Sequence, residues 1–164
     1  MINKKDEEDN NKNLETYISC ILSEISGNNE NISFNPNDPY STEKPSKVKL
    51  SYYFERIRKY TKIENSTLII ILIYVDRMCT LSGIILNPHN IHRVILGCLL
   101  IAVKYNEDVY YTNMHYANVG GISLAELNCL EYYTIQLLNF DLYISDEIYQ
   151  KYDKYVKNYQ ISKR

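Results

Sequence analysis

Apolar positions recur at helical spacing along most of the chain. Leu14, Tyr17, Ile18, Ile21, Leu22 and Ile25 follow the i, i+3, i+4, i+7 series of one helical face and predict an amphipathic helix that stops near Gly27. Leu50, Tyr53, Phe54, Ile57 and Tyr60 mark a second, with Glu55, Arg56, Arg58 and Lys59 mostly opposite. The run Ile69-Ile70-Ile71-Leu72-Ile73 suits a buried strand as readily as a buried helix. Length decides for helix, because the pattern continues through Met78, Cys79 and Leu81 to Gly83, about twice the reach of an ordinary strand. Asn65 or Ser66 is its expected cap and Gly83 its left-handed stop. Asn87-Pro88 reads as an N-cap with proline in the first helical position, opening a helix over 88–106. From Val94 to Val103 that helix is apolar around nearly its whole circumference, so other helices must surround it.

Three more helices follow, around Thr112 to Asn118, from Leu124 to about Leu138, and from Ser145 through Tyr159, the last with Asp146 and Glu147 at its positive end. Asn28 to Pro45 holds Pro36, Pro39 and Pro45 amid Asn, Asp and Ser, and is expected as a surface linker. Residues 1–13 are polar and expected to be a disordered tail. With no alternation of strands and crossovers, the pattern predicts an all-α bundle of short antiparallel helices around 88–106.

One junction is sharply specified. In HYANVGGISLAELNCLE, from His115 to Glu131, Ser123 and Glu126 have the spacing of a capping box, and Ile122 can staple onto Leu127. Gly120 and Gly121 are expected to take backbone angles that a side chain would forbid, so that one helix stops and the next starts within a few residues.

The chain has 164 residues, enough for one ordinary domain, and its net charge of −2 gives no general attraction to nucleic acid or an anionic membrane. The longest apolar run, Val94 to Val103, is half of the roughly 20 residues a bilayer span needs. The charged, Asn-rich start is unlike a secretory signal, and the cysteines at 20, 79, 98 and 129 include no C-x-x-C pair. Three of them fall in apolar periodic segments and are expected to be reduced, buried and structural, in a cytoplasmic or nuclear setting. His89 and His92 stand at i, i+3, but no third ligand has a motif spacing, so neither a metal nor a cofactor is expected. No nucleophile elbow, metalloprotease motif or phosphate loop occurs. The 17 tyrosines mostly have aliphatic neighbours at helical spacing, which suits core and interface better than base stacking. Lys104 ends a long apolar helix, and Glu131 sits one turn after Leu127 on the border of an apolar face. Each has a plain reading, as a cation at a negative helix end and as a solvated flank, and together they can also serve as a paired anchor for a partner's helix.

The ordered motifs Y-x-D-R, N-x-H-R, A-x-K-Y-x-x-D, Y-x-N, Y-A-x-V-G-G-I-S, E-L-N-x-L-E and F-x-L resemble the cyclin box, specifically that of P/U-type cyclins related to the fungal phosphate-signalling cyclins. The likeness covers residues 46–148, with 14–45 as an N-terminal helix and linker and 149–164 as a C-terminal helical extension. It implies a five-helix box with helix 88–106 at its centre, no activity of its own, and activation of a cyclin-dependent protein kinase by binding the kinase's regulatory C helix. In that family the gripping Lys and Glu fall on Lys104 and Glu131, and Tyr105, Asp108, Tyr110 and Tyr111 are the expected further contacts. Gly120, Gly121, Ser123 and Glu126 then have the structural task of aiming Glu131. Cell-cycle cyclins pair the Asp of Y-x-D-R with an Arg of the first box helix; for Asp76 here, Lys47 and Arg56 are both open. The substrate-docking patch of those cyclins and a second box are not expected, and the protein is expected to be monomeric without its kinase. The alternative is a cyclin-fold module that binds a non-kinase partner or DNA.

Overall fold

A computed structural model of the chain describes residues 14–163; the tail expected over 1–13 lies outside them. Seven helices account for the described secondary structure: α1 Leu14–Gly27, α2 Leu50–Thr61, α3 Asn65–Ser82, α4 Ile91–Asn106, α5 Asn113–Gly120, α6 Leu124–Leu137 and α7 Asp146–Ser162. No strand occurs among the described residues. The ambiguous run Leu68 to Val75 is helix throughout, and every one of its residues is buried. α3 is long and apolar enough to cross a membrane, yet more than half of it lies inside the protein.

α4 is the hub. Val94 through Val103 are all buried, so its entire circumference is covered, by α3 on one side, α6 on another and α5 at a third. α1 lies across α2, α3 and α7, placing Ile18, Ile21 and Leu22 in the common core. α7 closes the bundle against α3 and α1 but buries only Val156 fully, with Tyr149, Tyr152 and Tyr159 partly covered.

Three details differ from the sequence expectation. α4 begins at Ile91 with Asn90 as its N-cap, because Asn87 and Asn90 tie 87–90 into a turn: Asn90 Oδ1 accepts from the Asn87 amide at 2.9 Å and Asn87 Oδ1 from the His89 amide at 2.9 Å. α3 begins after Glu64 with no side-chain cap of its own, and neither Asn65 nor Ser66 fills that place. Glu107, which follows α4, serves instead; its Oε1 accepts from the Glu64 amide at 2.9 Å and from the Thr67 hydroxyl at 2.6 Å. Only Cys98 is fully buried, Cys79 being half-buried and Cys20 and Cys129 exposed on outer helix faces, and all four thiols are free.

The segment 28–45 is a strap more than a loose connection. Tyr40 is fully buried and shares a hydrogen bond with the buried Thr134 hydroxyl of α6 at 2.7 Å. The strap passes close to α4 at Gly97, where an added Cβ would lie 2.3 Å from Thr134 Oγ1 and 3.5 Å from the Tyr40 ring. Thr42 and His89 then exchange three contacts: the Thr42 amide and hydroxyl each reach the His89 carbonyl at 2.9 Å, and the His89 ring reaches the Thr42 carbonyl at 2.7 Å.

Candidate functional site

Lys104 and Glu131 meet at the outer end of the hub. In the last turn of α4, Lys104 Nζ donates to Glu131 Oε1 on α6 at 2.5 Å. Both side chains are partly covered, at 30% and 25% exposure, a placement in which a charge pair is screened less than on an open surface. The second carboxylate oxygen is occupied too. Asn113, the first residue of α5, donates to Glu131 Oε2 at 2.9 Å and to Asn128 Oδ1, one turn back on α6, at 2.9 Å. Three helices therefore converge on one carboxylate.

The start of α6 determines where that carboxylate points. Ser123 accepts from the Glu126 amide at 3.1 Å while Glu126 returns a bond to the Ser123 amide at 2.8 Å, forming the complete capping box. The two glycines before it act for different reasons. Gly121 is left-handed at φ 71° and caps α5, whereas Gly120 is the last helical residue and needs its missing side chain because Leu96 of α4 would lie 2.4 Å from a Cβ. The expectation of forbidden backbone angles thus applies to Gly121, and at Gly120 it is replaced by a close helix approach. Arg93 adds a further tie, donating to Glu126 at 2.6 Å and to the Pro39 carbonyl of the strap at 3.0 Å. Hydrogen bonding to the Ser123 amide, aided by Arg93, holds the Glu126 carboxyl below its ordinary value.

Exposed apolar side chains follow each member of the pair along the chain: Tyr105, Val109, Tyr110, Tyr111 and Met114 after Lys104, and Tyr132 and Tyr133 after Glu131 on α6. Val109 is 84% exposed. The loop carrying Val109, Tyr110 and Tyr111 is fixed at both ends. Glu107 is bound to the start of α3, and Tyr111 stacks on His115 with ring centroids 4.2 Å apart while its amide donates to the Tyr116 hydroxyl at 3.2 Å. Asp108 and Tyr110 lie exposed between those anchors.

Asp76 joins neither Lys47 nor Arg56 in an ion pair among the described residues; its Oδ2 accepts the Tyr152 hydroxyl of α7. The physical reason is position, since Asp76 lies on the outer side of α3 beneath α7, while Arg56 on α2 lies over the Tyr53 ring at 5.4 Å. Its neighbours in Y-x-D-R bind backbone instead. The Tyr74 hydroxyl donates to the Leu142 carbonyl at 2.7 Å, and Arg77 donates to the Asp141 carbonyl at 2.6 Å. The motif stitches α3 to the segment leading into α7.

His89 and His92 both engage backbone carbonyls, His92 through Nε2 to Val48 at 2.7 Å, and burial holds the His92 ring below its ordinary value. Among the described residues no group of three His, Cys, Asp or Glu side chains is placed to hold a metal. An apolar cleft of about 510 Å³ between α1, α3 and α7, lined by Leu22, Leu72, Val75 and Ile84 among others, includes none of the residues around Lys104.

Sequence reasoning did not single out Asn113 and Asn128. Both were visible as the Asn of Y-x-N and the Asn of E-L-N-x-L-E, but their meeting depends on how α5 crosses α6, which spacing along one helix cannot show.

Comparison with known proteins completes the description. The sequence model of the cyclin family matches residues 4–142. Cyclin-U1-1 of Arabidopsis thaliana is 36% identical over 106 residues, covering 64% of this chain and 50% of the relative. Cyclin-U4-3 of the same plant is 33% identical over 140 residues, 84% of this chain and 64% of the relative. PHO85 cyclin-7 of Saccharomyces cerevisiae is 38% identical over 112 residues, 61% of this chain and 39% of the relative. The chain spans less than two thirds of the length of each.

Proposed function

The chain belongs to the cyclin family, on its P/U-type branch, and from that premise we propose that it is a regulatory subunit that binds and activates a cyclin-dependent protein kinase through the surface around Lys104 and Glu131. The observation that carries this reading is the Lys104–Glu131 pair, clamped by Asn113 where α4, α5 and α6 meet, with Tyr105, Val109, Tyr110 and Tyr111 exposed on the stretch of chain that follows Lys104. A helix of the kinase laid on those side chains supplies apolar area, and the charged pair offers hydrogen bonds to its polar groups at about 1.5 to 3 kcal/mol each. Ordering the kinase's C helix brings its glutamate to the strand lysine that orients ATP. The cyclin in this reading completes a catalytic site without containing one, and needs no metal or cofactor.

Charge of −2 supports a protein partner over nucleic acid, and we place the monomer in the cytoplasm or nucleus, where four free thiols persist. The functional box is taken as 46–148, with α1, its strap and the end of α7 bracing it. The test is a pull-down and activity assay against a panel of cyclin-dependent kinases that includes PHO85, from which the yeast relative takes its name. Wild type should raise the activity of at least one kinase, and Lys104→Ala or Glu131→Ala should lower affinity roughly tenfold or more with little change in melting temperature. Failure of wild type to activate any kinase would end the regulatory reading; a large loss of melting temperature in either variant would make the pair structural.

A further inference from the structure

We infer that Asn113 is a positioning residue for Glu131, and that the asparagines of Y-x-N and E-L-N-x-L-E form one relay that makes the Glu131 carboxylate a rigid acceptor before any partner arrives. The inference rests on the kinase-binding reading of this surface and adds to it a residue pair, Asn113 and Asn128, that the reading does not need.

The geometry is specific. A carboxylate has about four lone-pair sites on two oxygens. Lys104 takes one on Oε1 and Asn113 Nδ2 takes one on Oε2, leaving one on each oxygen for an incoming donor. The Asn113 amide cannot be turned the other way without pointing its carbonyl oxygen at Oε2, so chemistry fixes which end faces Glu131. Asn128 fixes it from the other side, because its Oδ1 accepts the second Nδ2 hydrogen of Asn113. Asn113 is half-buried as the first residue of α5, directly after the Thr112 cap that accepts from the His115 amide at 3.3 Å, so its own backbone is held.

Without Asn113 the carboxylate would be tied to Lys104 alone, whose flexible stem allows the pair to swing as a unit. An acceptor that must be immobilised during association loses rotamer freedom at that moment; one already held does not. The relay is therefore a device of preorganisation. It is also sensitive to charge: an aspartate in place of Asn113 would set a second carboxylate against Oε2 and repel it.

A double-mutant cycle on the full chain tests this, with binding to purified PHO85 or to whichever kinase wild type activates read by calorimetry, alongside carbon-13 spectra of the free protein. Asn113→Ala should weaken binding roughly 3- to 10-fold and leave melting temperature close to wild type. Asn113→Asp should weaken it further, with a salt dependence that Asn113→Ala lacks. In a Glu131→Ala background, Asn113→Ala should have no further effect. An equal loss in both backgrounds, or no loss in either, overturns the inference. In the free protein, the Glu131 carboxyl-carbon resonance should move in Asn113→Ala and Asn128→Ala, and an unmoved resonance overturns it whether or not a kinase binds. If wild type binds no kinase, the functional reading fails, and the spectra alone decide the positioning claim.

Discussion

Tyr40 and Thr134 join hydroxyl to hydroxyl at 2.7 Å across 94 positions of sequence, with both side chains sealed from solvent. One belongs to a proline-containing strap and the other to α6, the helix that carries Glu131. Burying a tyrosine from an irregular segment is favourable only when its hydroxyl finds a partner. Burial pushes the Tyr40 phenol well above its ordinary value, so it stays neutral as donor or acceptor. Tyr40→Phe should leave the Thr134 hydroxyl unpaired and destabilise the fold by about 1 to 3 kcal/mol. Thr134→Val added to it should recover part of the loss, since removing both polar partners is milder than removing one. Urea denaturation of the two singles and the double checks this.

Gly97 lies mid-helix where helix propensity disfavours it by about 1 kcal/mol relative to Ala, yet the close passage of Thr134 and Tyr40 makes it necessary. Gly97→Ala should gain propensity and lose more to overpacking, for a net destabilisation of about 1 to 3 kcal/mol. Equilibrium unfolding that shows equal or greater stability would disprove the close approach.

At Gly121 the space is open and only the backbone is unusual. Gly121→Val should cost about 1 to 2 kcal/mol through left-handed strain, and Gly121→Asn distinctly less. Because this residue precedes the Ser123 cap, the valine variant should also lose kinase binding beyond its loss in melting temperature, measured on the same sample.

His92 carries a pH dependence. Burial is the leading cause of its lowered value, opposed by its bond to the Val48 carbonyl. A base with a depressed folded value favours the neutral ring in the fold, so the unfolded chain binds more protons on acidification. Stability is complete above the ordinary value of 6.5 and falls as pH drops below it, until the folded ring also protonates. Melting temperatures between pH 7.5 and 5 should decline in wild type and decline less in His92→Gln, whose amide can still donate to Val48. Glu126 loses its contribution only as pH falls below its ordinary 4.5, in a separate window.

The fold was largely readable because its main evidence is periodic. The apolar circumference of 94–103 announces a surrounded helix, and S-x-x-E followed by an apolar run announces a helix start. Caps supplied from a distance were not readable: nothing near Glu64 in the sequence indicates Glu107, and Asn87-Pro88 offers a start as plausible as Asn90. Tyr40 was hidden because proline and asparagine dominate its neighbourhood, and burial of one residue in a strap leaves no period. The same holds at the site. Lys104 and Glu131 stood out as charges at the edges of apolar faces, but the partner of Asp76 is a tyrosine 76 residues away on α7.

Glu107 sits where the loop bearing Tyr110 leaves α4, and one oxygen of its carboxylate terminates α3 on the far side of that loop. The loop and the N-terminus of α3 are mechanically one joint. A partner that steadies Tyr110 and Tyr111 steadies Glu107, and with it the amide of Glu64 and the hydroxyl of Thr67. The exchange rate of the Glu64 amide, bonded to Glu107 at 2.9 Å, should therefore slow when a partner steadies that loop.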